Sequence, residues 1–266
     1  MGTEDSGRYK NLDKLEIAEL LNAINQEDQT VPQAVAEAIP EISKLTEKAV
    51  DVLKAGKKVF YIGAGTSGRL GILDASELPP TFGADPSWIS GLIAGGDSAI
   101  RKAVEFAEDD ETAALKDLKN AGLEKGDLVI GIAASGTTPY VIGGLKDCRQ
   151  MGVFTGCLTC NSNAPLLAEA DFPVLVNTGP EVVTGSTRMK AGTAQKLVLN
   201  MFSTSVMIRM GRVKGNKMVD MQLSNNKLVN RGTRMLMEEL SIDQETADKL
   251  LKKHGSVRAA LNYYQS

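Results

Sequence analysis

Val59-Phe60-Tyr61-Ile62-Gly63-Ala64-Gly65-Thr66-Ser67-Gly68-Arg69 is an apolar, strand-forming run that breaks into a turn of glycines and hydroxyls and then enters a helix-like segment. Leu128-Val129-Ile130-Gly131-Ile132-Ala133-Ala134-Ser135-Gly136-Thr137-Thr138-Pro139 repeats the arrangement later in the chain. The start of a helix presents unpaired backbone N–H groups and a partial positive charge, and small residues there let an anion come close. Two such turns on neighbouring strands make one phosphate cradle. Its predicted lining is Gly65, Thr66, Ser67, Ser135, Gly136, Thr137 and Thr138.

Outward from these turns, strand-like runs at 59–62, 87–94, 127–133, 153–159 and 173–176 alternate with helical patterns at 68–77, 98–107, 111–121 and 140–151 and a short piece near Leu166. Alternation of this kind predicts an α/β fold: a doubly wound, mainly parallel five-stranded sheet. Several runs are apolar without alternation, as strands covered by helices on both faces must be. Helical spacing at 12–24 and a capping-box pattern at Thr30-Val31-Pro32-Gln33 predict N-terminal helices, with a bend at Pro40 and a stop at Gly56. A loop from Asn177 leads to a long helix over 188–210 that is apolar on more than one side, which implies cover from the sheet and from something else, for which a second subunit would serve. Helices over 225–240 and 243–264 form a C-terminal appendage. The organisation expected is residues 1–55 as N-terminal helices, 56–212 as the domain that carries both turns and binds the ligand, and 213–266 as the appendage.

With 266 residues, 42% of them hydrophobic and 24% charged, the chain can bury a full core. A net charge of −3 gives no reason to expect nucleic acid, so an anionic ligand must be drawn by local dipoles and a few cations such as Arg69, Arg188 or Lys190. No stretch has the apolar length of a membrane helix, residues 1–10 are too polar for a secretory signal, and a cytoplasmic location is expected. Cys157 and Cys160 match C-x-x-C within a strand-like run, and with Cys148 they read as buried small apolar residues rather than a metal or redox pair. His254, the only histidine, falls in the appendage beside Gly255 and is read as an exposed residue outside the chemistry.

Gly63-x-Gly65-x-x-Gly68 also fits the dinucleotide fingerprint. A nicotinamide site wants an acidic residue about twenty positions on, at the end of the second strand. Asp85 falls before that strand and Asp97 lies past the expected spacing. The hydroxyls of Thr66 and Ser67, repeated by Ser135, Thr137 and Thr138, suit a phosphate monoester, and the duplication favours a sugar phosphate. No Walker-type triphosphate loop occurs.

The stretch Leu73-Asp74-Ala75-Ser76-Glu77-Leu78-Pro79-Pro80-Thr81-Phe82-Gly83, with the turn before it, resembles the N-acetylmuramic acid 6-phosphate etherases, which have the sugar isomerase (SIS) fold. Residues 103–109, 133–141 and the long segment Thr184-Gly185-Ser186-Thr187-Arg188-Met189-Lys190-Ala191-Gly192-Thr193-Ala194-Gln195-Lys196 agree with it, and the match runs in order from about Leu12 to about Leu240. Leu78 departs from the family pattern, which has cysteine there in many members, and the appendage is shorter than usual.

The resemblance implies cleavage of a D-lactyl ether from the sugar 6-phosphate by elimination and hydration, with no metal or redox cofactor, in a homodimer. It implies Glu77 as the acid that protonates the departing lactate and Glu108 as the base that removes the C2 proton; such a pair needs separated pKa values. Partial burial of Glu77 against Leu78-Pro79-Pro80 would raise its pKa. From the residues alone, Glu108 in the acidic run Glu105, Glu108, Asp109, Asp110, Glu111 reads as a solvated helix end. Glu181, in a Gly-Pro-Glu loop, is read as substrate-binding or structural. Ser186, Thr187 and Lys190 are candidates for the sugar or lactyl carboxylate, although helix capping explains Ser186 and Thr187 almost as well. A phosphosugar-sensing regulator and an aldose–ketose isomerase are the competing functions, and neither has a use for both glutamates together with the family-specific segments.

Overall fold

Five apolar runs form one parallel sheet in the computed structural model, which describes residues 2–104 and 106–265. They are β1 (Val59–Gly63), β2 (Ile89–Ile93), β3 (Leu128–Ile132), β4 (Phe154–Thr159) and β5 (Phe172–Leu175), in the spatial order β2-β1-β3-β4-β5. Val59 lies opposite Ile89 and Leu128, and Gly63 lies opposite Ile93 and Ile132. Every residue of β1 and β3 is buried, which is why neither strand alternates. The strand order reverses between β1 and β3, and in open α/β sheets ligands bind outside the carboxyl ends of the strands at that point.

The helices are α1 (Ile17–Asp28), α2 (Val31–Glu37), α3 (Ile39–Lys54), α4 (Gly65–Phe82), α5 (Ser98–Arg101), α6 (Ala113–Asn120), α7 (Pro139–Gln150) and α8 (Lys190–Arg209). On one face of the sheet Phe60, Ile62 and Val129 pack with Leu118 of α6 and Val141, Leu145 and Cys148 of α7. On the other, the Tyr61 ring meets Phe202 of α8 edge-on at 6.1 Å, and its hydroxyl donates to Asp74 of α4 at 3.0 Å. All three cysteines are buried and free, and burial pushes each thiol up to about 12.

Three local expectations give way to tertiary forces. Thr30 makes no side-chain cap for α2; its hydroxyl donates to the Glu27 carbonyl, and the capping box sits instead at Glu16 and Glu19 of α1. The helix is broken at Ala38, so that Pro40 occupies the first turn of α3, where it lacks no needed N–H. More consequentially, α4 continues past Glu77 through Pro79 and Pro80. Leu78 and Phe82, four apart on one face, are buried, and their burial works against the roughly 3 kcal/mol that each helical proline costs.

The predicted helix over 98–107 stops after Arg101 because the Arg69 guanidinium takes its carbonyls: Nη2 donates to Ala99 at 2.7 Å and Nε to Ile100 at 2.8 Å. Phe106 then adopts a left-handed conformation (φ 58°), and a 3-10 turn follows over Ala107–Asp109. Glu105 lies outside the described residues.

The chain divides into two compact units. The first holds the sheet, up to Ala75 and over Ser87–Ser203; the second is Ser76–Pro86 with Thr204–Ser266. The second unit contains the short hairpin β6 (Val213–Lys214) and β7 (Lys217–Met218), with α9 (Asn226–Leu240), α10 (Gln244–His254) and α11 (Val257–Gln265). Its core is Val219, Met221, Leu236, Ala247, Leu251, Val257, Ala260 and Leu261. Asn225 and Asp243 cap α9 and α10, and Gly255 closes α10 in the left-handed conformation.

Candidate functional site

β1 and β3 are neighbours, so the two hydroxyl turns stand side by side at their carboxyl ends and the starts of α4 and α7 converge. A cleft of about 470 Å³ lies there, lined by Gly65, Thr66, Ser67, Ser135, Thr137, Thr138, Thr187 and three carboxylates, Glu4, Glu108 and Asp109. Close approach shapes the first turn: a Cβ on Gly68 would stand 2.6 Å from Ile93 Cγ1 and 2.8 Å from the Gly63 carbonyl oxygen. Only glycine lets α4 begin this near the sheet.

The two serines are prepared differently. Ser135 Oγ accepts from the Thr137 N–H (3.2 Å) and the Thr137 hydroxyl (3.0 Å), so its own proton is available to an anion. Ser67 is buried, and its hydroxyl donates to Oε1 of Gln195 on α8 at 2.9 Å. Gly136 holds the second turn at φ 68°, its N–H donating to the Ala133 carbonyl.

Glu108 reaches this cleft because Arg69 ends α5 early and turns the chain back; the residue also lines an adjoining cleft of about 360 Å³ with Gly65, Arg69 and Phe106. Its side chain is exposed. Glu77, on the part of α4 that belongs to the second unit, is exposed as well, so the expected partial burial against Leu78-Pro79-Pro80 is not what the fold provides. The carboxylate points out of the helix while Leu78 turns inward.

Glu181 and Lys190 line a different cleft, of about 550 Å³, with Arg8, Glu27 and Thr178. Both Glu181 oxygens accept at 2.9 Å from the N–H groups of Lys190 and Ala191, capping α8. Burial raises the Glu181 pKa in spite of these bonds. Lys190 Nζ, also buried, pairs with Glu27 at 2.6 Å, and Glu27 pairs in turn with Arg8. Of the two side chains expected at the sugar, Glu181 is thus held by backbone N–H groups and Lys190 by the carboxylate of Glu27. Ser186 sits in the loop before α8, its N–H donating to the Val183 carbonyl. Of the cations expected to draw an anion, Arg69 is committed to two carbonyls and Lys190 to Glu27, while Arg188 is exposed.

Thr187, a candidate from the sequence, does line the cleft, whereas Glu4 in the lining and Gln195 behind Ser67 carry no motif that singles them out. Thr187 and Gln195 fall in the long family-like segment, which carried the signal; Glu4 lies in a polar stretch with no motif.

A five-stranded parallel sheet with this order and a cleft at the β1/β3 switch point is a doubly wound α/β sheet, and the chain's family matches make it a SIS-domain protein. Two family models match, "Glucokinase regulatory protein N-terminal SIS domain" over residues 35–149 and "SIS domain" over 100–205. A phosphoheptose isomerase from Francisella tularensis superposes with a TM-score of 0.58 at 18% identity, covering 73% of this chain and all of that one, a likeness of fold. An N-acetylmuramic acid 6-phosphate etherase from Christiangramia forsetii is 60% identical over 99% of this chain and 96% of its own length. One from Bacteroides thetaiotaomicron is 56% identical over 99% and 95%. The chain belongs to the N-acetylmuramic acid 6-phosphate etherase family.

Proposed function

We propose that the protein cleaves the D-lactyl ether of N-acetylmuramic acid 6-phosphate, giving N-acetylglucosamine 6-phosphate and D-lactate. The observation that carries this reading is the cleft in which Gly65, Thr66, Ser67, Ser135, Thr137 and Thr138 face Glu108, in a chain 60% identical to a relative of that name. The helix starts and hydroxyls take the phosphate. In the open-chain aldehyde the C2 proton is acidic. Glu108 removes it, the C3–O bond breaks, and the lactyl oxygen takes a proton from Glu77; water then adds at C3 while C2 regains a proton. Each acid–base role supplies about 10²–10⁴-fold. Elimination and hydration together transfer no net electrons, so the reaction as written calls for no redox cofactor. The role of Glu77 rests on the family resemblance.

The protein is further read as a cytoplasmic homodimer organised as residues 1–55, 56–212 and 213–266. Leu73 of α4 and Met201 of α8 are apolar and exposed in the single chain, which favours cover by a second copy, and light scattering in solution tests it. No helix among the described residues is long and apolar enough to cross a membrane.

The deciding assay is incubation with N-acetylmuramic acid 6-phosphate. D-lactate release that disappears in Glu77→Ala supports the reading, and solvent deuterium entering C2 in that variant assigns Glu108 as base. Tight binding of the sugar phosphate with no D-lactate would point to a phosphosugar-sensing regulator instead.

A further inference from the structure

The segment ahead of α1 is built into the wall of the cleft. Thr3 is completely buried. Its N–H donates to Asn161 Oδ1 at 2.7 Å, and Asn161 Nδ2 donates back to Thr3 Oγ1 at 2.9 Å. The same Nδ2 lies 3.2 Å from the carbonyl oxygen of Ser135, so one amide holds both the N-terminal segment and the second phosphate turn. A few residues on, Gly7 passes so close to Glu181 that a Cβ would stand 2.6 Å from its carbonyl oxygen, and Arg8 pairs with the buried Glu27. The segment is therefore pinned at both ends. Between the pins, Glu4 lines the cleft with Ser67, Ser135, Thr137 and Glu108, its Oε2 3.1 Å from where a Cβ on Gly185 would be.

Glu4 is one of three carboxylates in the lining, with Glu108 and Asp109, on walls otherwise built of helix starts and hydroxyls. Helix starts and hydroxyl donors favour an anion, while an ionised glutamate only accepts hydrogen bonds and repels one. What it can hold is a donor on the part of the ligand beyond the phosphate. We propose that Glu4 is a substrate-contacting, specificity-determining residue that accepts a hydrogen bond from a hydroxyl or acetamido N–H of the phosphorylated amino sugar, delivered there by the Thr3–Asn161 anchor. Glu4 discriminates a sugar phosphate from bare phosphate, binding the first and opposing the second. This rests on the sugar-phosphate reading of the cleft given above.

Calorimetric titration with inorganic phosphate and with N-acetylglucosamine 6-phosphate, in the absence of turnover, tests it. In Glu4→Gln the sugar phosphate is expected to bind about tenfold more weakly, since a charge-assisted hydrogen bond is lost. Inorganic phosphate is expected to bind about two- to fivefold more tightly, because a like charge is gone. Thr3→Val, which keeps the carboxylate but removes the hydroxyl that Asn161 holds, is expected to weaken the sugar phosphate and leave inorganic phosphate unchanged. A purely structural role for the segment would move both ligands in the same direction in both variants, and that result overturns the proposal. Ser135→Ala separates the two readings. If it weakens both ligands while Glu4→Gln changes neither, the cradle stands and the role of Glu4 falls; if it changes neither, the cradle itself falls.

Discussion

Ser67 at the start of α4 donates its hydroxyl proton to Gln195 Oε1 at 2.9 Å, across 128 residues of chain. Gln195 is fully buried, and its Nε2 has no acceptor among the described residues. The amide can turn over so that Nε2 donates to Ser67 Oγ, which frees the serine proton for a phosphate and leaves a carbonyl unpaired, the less costly orphan. Removing the hydroxyl in Ser67→Ala leaves the amide with no partner at this contact and is expected to cost about 1–3 kcal/mol of stability. In Ser67→Ala/Gln195→Met, where both partners are apolar, stability is expected to return while affinity for the sugar phosphate stays low. Denaturant unfolding beside ligand titration checks this; affinity recovering with stability would make Ser67 purely structural.

Asp74 accepts from Ser203 at 2.9 Å and from Tyr61 at 3.0 Å, yet burial pushes its carboxyl up to about 6. A carboxyl with a raised folded pKa favours the fold below its unfolded value, near 4, and that contribution is lost as pH rises to about 6. The loss is about 2–3 kcal/mol. Stability of Asp74→Asn, measured by urea unfolding from pH 4 to 8, is expected to gain on the parent protein by about that amount over the rise. Parallel curves would show that Asp74 is ionised throughout.

Lys190, Glu27 and Arg8 form a chain of charges of which the first two are buried. Burial alone would raise the Glu27 carboxyl, but hydrogen bonds from Lys190 and Arg8 bring it below the ordinary glutamate value. Its contribution is therefore present above about pH 4 and lost as pH falls through the folded value. Lys190→Met is expected to cost about 3 kcal/mol, because Glu27 then keeps only its exposed partner. The acid-unfolding midpoint, followed by circular dichroism, should move to higher pH in that variant; an unmoved midpoint would deny the pair its role.

Gly136 combines a left-handed backbone with contact on all sides: a Cβ would stand 2.3 Å from Ala164 Cβ and 2.7 Å from Thr159 Oγ1. Gly136→Ala is expected to destabilise by about 2–5 kcal/mol through strain and overpacking. It should also displace the Ser135 turn. A melting temperature within a degree or two of the parent would contradict both.

The sheet was legible because its signals are local. The unbroken apolar runs at Val59–Gly63 and Leu128–Ile132 name buried strands, and the glycine and hydroxyl turns after them locate the helix starts, so the two turns that line one cleft could be picked out from neighbouring residues alone. Cysteines in strand-like and helical runs were legible as core for the same reason. The long segment up to Lys196 carried the family likeness, though not the separation of Lys190 from the cradle: helical position says where a side chain starts, and the buried Glu27 decides where it ends.

What the sequence determined by itself is the alternation of strand and helix, the identity of the two turns and the residues within them. The tertiary structure decided the rest through groups distant in the chain. Leu78 and Phe82 are buried along α4, which continues through two prolines. Arg69 takes carbonyls 30 and 31 residues away and thereby ends α5, which brings Glu108 to the cleft. Asn161 holds Thr3 across 158 residues and sets Glu4 beside the phosphate turns. Local propensities amount to a fraction of a kcal/mol per residue, whereas a buried hydrogen-bonding group left unsatisfied costs about 1–3 kcal/mol, so where the two conflict the distant partner prevails.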